Sequence, residues 1–94
     1  MRVRWLRRAL KNLDEEVEYI ARDDPQAVAK IVERIATSVD QLATQPGLGR
    51  PGRVPGTREL VVGGTPYLVP YRVRGEVVEI LRVFHEARKW PEKF

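Results

Sequence analysis

The fold of this chain is decided by the segment from residue 67 to residue 85, which reads YLVPYRVRGEVVEILRVFH. Tyr67 to Val73 and Val77 to His85 are apolar runs rich in β-branched and aromatic residues, and Arg74-Gly75 between them is a turn signal. We therefore expect two antiparallel strands joined by a tight turn. The run from Arg58 to Val62, ahead of a second turn signal made of two glycines, predicts a third strand of the same meander.

Two features of this segment affect how its strands pair. Pro70 cannot donate a backbone hydrogen bond, so we expect a bulge or a sheet edge beside it. The length of the turn sets the register, because one residue of slip moves every side chain to the other face. A two-residue turn would place Arg72 on the face of His85, whereas a three-residue turn would place it with Arg82. The sequence leaves both registers open.

The first half of the chain predicts a helical hairpin. Apolar residues recur at spacings of four, three, four and three, which draws one stripe along a helix from Leu6 to about Ala21. Asp24 and Pro25 suit the start of a second helix as its N-cap and its first residue. The helical period then continues for about twenty residues until Pro46-Gly47 ends it. We expect the two apolar stripes to share one core.

Together these elements predict a single α+β domain over residues 1–94. Arg2 to Trp5 alternates with period two and predicts an N-terminal strand. The expected order is a strand, a two-helix hairpin and a three-stranded antiparallel meander, with the helices packed on one face of the sheet. The glycine- and proline-rich stretch from Pro46 to Thr57 is too irregular for a helix or a strand, so we expect a loop that carries Arg50 and Arg53.

Composition narrows the range of functions. The chain carries 17 Lys and Arg against 13 Asp and Glu, a net charge of +4, which favours an anionic partner such as a nucleic-acid backbone or an acidic protein segment. The absence of cysteine excludes disulfides and thiolate chemistry. One histidine and scattered carboxylates lack the spacing of metal ligands, so we expect no metal and no cofactor. No apolar run is long enough for a signal peptide or a membrane span, and the expected location is the cytoplasm.

His85 is the only imidazole of the chain, and an imidazole is the simplest general acid or base at neutral pH. Cleavage of an RNA phosphodiester needs a base, an acid and cations around the transition state, which His85 and neighbouring arginines could supply. A lone histidine at a strand end is more often a structural or binding residue than a catalytic one. Ser38, the only serine, falls inside a predicted helix and gives no support to a hydrolase triad. Trp90 beside Pro91 is a candidate for base stacking.

As a whole, the chain resembles the RelE/ParE superfamily of bacterial toxins. The resemblance rests on the helical hairpin followed, in order, by Leu48-Gly49-Arg50, Pro55 to Leu60, Pro66-Tyr67, Tyr71-Arg72-Val73, Ile80 to His85, Ala87-Arg88 and Trp90-Pro91. It covers essentially the whole chain. It implies the toxin of a type II toxin–antitoxin module, in a hetero-oligomer with a cognate acidic antitoxin whose partly disordered segment wraps and suppresses it.

The resemblance also implies two alternative activities. ParE-like members poison DNA gyrase, whereas RelE-like and YoeB-like members cleave mRNA on the ribosome. Those nucleases carry an arginine just before the apolar run of the penultimate strand and a tyrosine after the final histidine. The matching positions here hold Leu68 and Glu86. We therefore expect a ParE-like toxin that inhibits growth by binding a large target such as gyrase; the alternative is a ribosome-dependent mRNA endoribonuclease.

Each activity assigns its own residues. Under the binding hypothesis, the expected contacts with the target or the antitoxin are Arg50, Arg53, Arg58, Arg72, Arg82, Arg88 and Trp90. Under the ribonuclease alternative, the catalytic residues are His85 as the acid or base, with Arg72 and Arg82 stabilising the phosphate.

Overall fold

One mixed sheet and two helices account for most of residues 1–87, the part of the chain that the computed structural model describes. The helices are α1 (Arg7–Asp23) and α2 (Ala27–Asp40), and a 3-10 turn (Gln41–Ala43) follows α2. The strands are β1 (Arg2–Trp5), β2 (Arg50–Pro51), β3 (Arg58–Val61), β4 (Tyr67–Arg74), β5 (Val77–Ile80) and β6 (Phe84–His85). Their order is β1-β5-β4-β3-β2, and β6 also pairs with β4. The predicted α+β class is confirmed.

The central meander forms as the sequence predicts. β4 pairs antiparallel with β3 on one side and with β5 on the other. Gly75 has a φ of 59° and forms, with Glu76, the two-residue turn between β4 and β5. This conformation is readily accessible to glycine, which lacks a Cβ atom. Arg72 consequently lies opposite Glu79, which decides between the two registers that the sequence leaves open.

The last predicted strand is interrupted where it faces Pro70. β4 pairs with β5 and then with β6 in registers that differ by one residue, so residues 81–83 contain a bulge. Pro70 has no N–H to donate on this side, although its carbonyl still accepts from the Leu81 N–H at 2.9 Å. The expectation of a bulge beside Pro70 is confirmed, whereas the expectation of one continuous strand from Val77 to His85 is wrong.

The two edges of the sheet come from distant parts of the chain. β1 runs parallel to β5, with Arg2 opposite Val77. The opposite edge is β2, which pairs antiparallel with β3 and places Arg50 opposite Glu59. The segment from Pro46 to Thr57 therefore contains a short strand that its glycine and proline content conceals, and the expectation of a loop throughout needs this correction.

Both helices pack on one face of the sheet. The buried core consists of Ala9, Ile35, Val39, Leu42, Leu60, Val62, Tyr67, Val69, Tyr71, Val78, Ile80 and Val83. α2 begins two residues later than predicted, because the Asp24 carbonyl accepts from the Ala27 N–H at 3.1 Å and the residues between them form a turn. It is also shorter than predicted, since regular α-helix ends at Asp40 and a 3-10 turn follows.

The apolar stripe of α1 is only partly covered. Leu13 and Ile20 pack against the core, and the fully buried positions of the helix are Ala9 and Glu16. Leu10 remains 48% exposed. The expectation that the whole stripe enters a shared core is therefore wrong at Leu10, and α1 keeps apolar surface available to a partner.

Candidate functional site

Two nearly buried carboxylates organise several of the arginines that the sequence singles out. Glu59 is 3% exposed and Glu79 is 8% exposed, and each accepts hydrogen bonds from arginine side chains. Charged side chains are rarely buried without a partner of opposite charge. Each carboxylate therefore fixes the guanidinium groups around it.

The first cluster is formed by Glu59 with Arg50 and Arg53. The Arg50 Nη2 lies 3.1 Å from the Glu59 Oε1, and the Arg53 Nε lies 3.0 Å from the Oε2. The backbone N–H of Arg53 also donates to Oε2 at 2.9 Å. Burial alone would raise the pKa of Glu59, but the hydrogen bonds from Arg53 and Arg50 outweigh it and the pKa is lowered. Both arginine side chains remain about half exposed, so they can contact a partner while Glu59 holds them.

The second cluster surrounds Glu79. The Arg72 Nε donates to the Glu79 Oε1 at 2.6 Å, and the Arg74 Nε lies 3.8 Å from the same oxygen. The hydrogen bond from Arg72 lowers the pKa of Glu79 against the effect of burial, and the charges of Arg74 and Arg4 lower it further. The sequence interpretation missed Arg4 and Arg74. The period-two spacing of Arg74 with Arg72 could have identified Arg74, whereas Arg4 joins the cluster only because β1 pairs with β5.

Arg58 helps to hold the loop that precedes β2. Its Nη1 donates to the carbonyl of Gly49 at 2.7 Å. The hydroxyl of Tyr71, which lies opposite Arg58 in the sheet, accepts from the Gly49 N–H and donates to the Pro46 carbonyl, both at 2.8 Å. These contacts hold the segment that leads directly into Arg50 of the first cluster.

The residues of the ribonuclease alternative have different surroundings. The ring of His85 lies edge-on to that of Tyr67, with centroids 5.6 Å apart, and its Nδ1 accepts from the Ala87 N–H at 3.2 Å. Arg72 lies on the other face of β4 from Tyr67 and His85, because the bulge at residues 81–83 shifts the register by one residue. The expectation that a two-residue turn places Arg72 on the face of His85 is therefore wrong. Burial and the neighbouring charge of Arg8 lower the pKa of Arg82, whose Nη1 donates to the Leu81 carbonyl at 2.7 Å.

The remaining residues that the sequence singles out are Leu68, Glu86, Arg88 and Trp90. Leu68 is 4% exposed and Glu86 is exposed. Arg88 and Trp90 lie outside the described residues. Within residues 1–87, no three carboxylate or imidazole side chains group as metal ligands. The helices in the same range are neither long nor apolar enough to cross a membrane.

A helical hairpin on a mixed sheet, with clustered arginines and apolar helix surface left uncovered, defines the class of small basic toxins that the sequence resembles. The family described as the ParE toxin of the type II toxin–antitoxin system, parDE, matches residues 3–90. The chain belongs to this family, and it is the toxin of a type II toxin–antitoxin system.

Relatives and solved structures agree with this assignment. The candidate toxin Y4kP of Sinorhizobium fredii is 53% identical over 91 residues, which cover 97% of this chain and 94% of the relative. Toxin RelE2 of Caulobacter vibrioides is 38% identical over 84 residues, covering 89% and 93%. A chain of the chromosomal ParDE system from P. aeruginosa superposes with a TM-score of 0.82 at 33% identity, covering 90% of this chain and 95% of that one. A chain of the RelBE2 toxin–antitoxin complex from Mycobacterium tuberculosis gives a TM-score of 0.61 at 30% identity, covering 89% and 95%.

Proposed function

We propose that this toxin inhibits growth by binding a large cellular target such as DNA gyrase, and that it does not cleave mRNA. The observation that carries the proposal is the environment of Leu68. This residue occupies the position where the nuclease relatives place an arginine, and it is 4% exposed. A buried leucine offers no cation to a phosphate at this position.

Target recognition is proposed to use arginines that the carboxylates have already oriented. Arg50 and Arg53 are held by Glu59, and Arg72 is held by Glu79. A guanidinium has five N–H donors, so one that binds a protein carboxylate can still donate to a partner. We extend the same role, as expectations, to Arg58, Arg82, Arg88 and Trp90.

A cognate acidic antitoxin is proposed to cover the toxin in a hetero-oligomer. Leu10 on α1 is 48% exposed and suits the apolar side of a bound peptide helix. The net charge of +4 favours acidic residues on the other side of that helix. Both structural neighbours come from toxin–antitoxin systems, which supports the same kind of partner here.

The ribonuclease activity is the second candidate, because the toxin named RelE2 is 38% identical to this chain. Under this alternative His85 would act as the acid or base. Its imidazole is partly exposed and its Nδ1 already accepts a backbone hydrogen bond, which leaves Nε2 for proton transfer.

One experiment separates the two candidates. The purified toxin is assayed for inhibition of gyrase supercoiling and, in parallel, for cleavage of ribosome-bound mRNA, with His85→Ala and Arg72→Ala as paired variants. We expect gyrase inhibition that survives His85→Ala and weakens in Arg72→Ala, with intact mRNA throughout. Cleavage of mRNA that disappears in His85→Ala would overturn the proposal.

A further inference from the structure

Four arginines from the two ends of the chain meet on one face of the sheet. β1 pairs with β5, and β5 pairs with β4, so Arg4, Glu79 and Arg72 form one row across three strands. The neighbouring row contains Arg2, Val77 and Arg74 in the same way. We call these four arginines the arginine grid.

The grid lies on the face opposite the helices. Side chains alternate along a strand, and Val3 and Trp5, which lie between and beside the β1 arginines, pack against the helix-covered core. Arg2 and Arg4 are exposed, and the Arg74 side chain is 68% exposed. The grid is therefore accessible on a surface that the toxin's own core does not use.

The charge of the grid is strongly positive. Glu79 offsets one of its four positive charges and orients Arg72 and Arg74, and Glu76 lies in the turn at its end. Arginines two residues apart on a strand are about 7 Å apart, and β1 and β4 are about 10 Å apart. A DNA duplex carries about four phosphate charges over about 7 Å of its axis. The grid keeps a net positive charge after Glu79 is counted, which suits the closely spaced phosphates of a nucleic-acid backbone.

The side chains between the arginines indicate which partner fits. Proteins that bind single strands stack the bases on aromatic side chains, and the two rows contain no aromatic residue. A protein partner would be anchored by buried aromatic or apolar side chains, and the rows offer only Val77. A duplex backbone needs neither kind of contact, since arginines bind phosphates directly.

We propose that the arginine grid binds the phosphate backbone of duplex DNA without reading its sequence. This goes beyond the inhibition of a protein target, and it holds whether or not gyrase is that target. Release of counterions from the phosphates drives such binding, so affinity falls steeply with salt.

The test is fluorescence anisotropy of a labelled duplex titrated with the purified toxin at several salt concentrations. Arg4→Ala combined with Arg74→Ala is compared with Arg22→Ala combined with Lys30→Ala, which removes the same charge from exposed positions on the helices. We expect the grid variant to lose about tenfold in affinity at low salt and its log–log salt slope to fall by about two. The control should lose less than about threefold, because its charges lie away from the duplex.

Glu79→Gln should change duplex affinity in the opposite direction from the grid variant, since it removes the negative charge that lies between Arg4 and Arg72. Tighter duplex binding by this variant is expected, and a merely structural role of the grid would not produce it. Equal losses in the grid and control variants, tighter binding of single-stranded RNA than of duplex, or preference for polyglutamate over duplex would each overturn the proposal. Far-UV circular dichroism checks that every variant is folded. Binding of the toxin to gyrase is measured separately in the absence of DNA, so that the two proposals fail independently.

Discussion

The hydroxyl of Tyr71 is the most direct test of how the fold positions the arginines. It donates to the Pro46 carbonyl and accepts from the Gly49 N–H, both at 2.8 Å, at a site where Tyr71 and Gly49 are buried. Tyr71→Phe removes both hydrogen bonds and leaves a buried N–H without its acceptor. Each hydrogen bond contributes about 1 kcal/mol net, and an orphaned buried donor costs about 1–3 kcal/mol. The lost bond to the Pro46 carbonyl and the orphaned Gly49 N–H together predict a loss of about 2–4 kcal/mol in the free energy of unfolding.

Urea unfolding followed by circular dichroism measures this loss. With a urea dependence of about 1 kcal/mol per molar for a small domain, the midpoint should fall by about 2–4 M. Tyr19→Phe is the matched control, because the same atom is removed from a ring that is 49% exposed, where water competes with whichever partner the hydroxyl has. It should change stability by less than about 0.5 kcal/mol. If the two variants lose the same small amount, the Tyr71 hydroxyl does not hold the loop and the reasoning is refuted.

Three further changes test other parts of the molecule. Glu59→Gln should cost about 1–3 kcal/mol at neutral pH. Because the folded pKa of Glu59 is lowered below 4.5, this stability is present above that value and is lost as the pH falls through the folded pKa, so urea unfolding should show the variant and wild type converging at acidic pH. Gly64→Ala should destabilise the fold by about 1–2 kcal/mol, since the φ of Gly64 is 75° and the new Cβ would lie 2.6 Å from the Arg34 Nη1. Gly47→Ala should be nearly neutral in thermal unfolding, because no atom lies within 4 Å of the added Cβ. Leu10→Asp should leave the melting temperature within a few degrees of the wild-type value, because Leu10 is 48% exposed. It should weaken binding of the purified cognate antitoxin about tenfold in calorimetry. Unchanged affinity would show that Leu10 is not part of the proposed interface.

Local signals in the sequence predict most of the elements. Alternation and turn residues identify the meander, and the missing N–H of Pro70 is enough to predict the bulge that the structure contains. The incorrect predictions concern features that depend on contacts between segments far apart in the sequence. The stripe of α1 has the correct period, but only the packing of both helices on the sheet determines that Leu10 stays exposed. β2 escapes prediction because its two residues form a strand only through β3.

The arginine clusters show why the site was harder to predict than the fold. Each cluster depends on a cross-strand pair, Arg50 with Glu59 and Arg72 with Glu79, and a shift of one residue in either register would separate them. The placement of Arg4 depends in addition on the parallel pairing of β1, which joins residues 2–5 to residues 77–80. No local pattern contains that information. It requires knowledge of the whole topology.

The same pairs explain how a small sheet can present many arginines for binding. A free arginine side chain loses about 2 kcal/mol of conformational entropy when it is immobilised on a partner. Glu59 and Glu79 impose much of that ordering during folding, because they fix guanidinium groups that remain partly exposed. Binding then begins from groups already oriented, which lowers the entropic cost of association. The carboxylates also neutralise part of the positive charge, so affinity at these positions depends on geometry as well as on charge. This arrangement suits recognition of an extended surface better than proton transfer, which needs a mobile acid or base at the reacting atom.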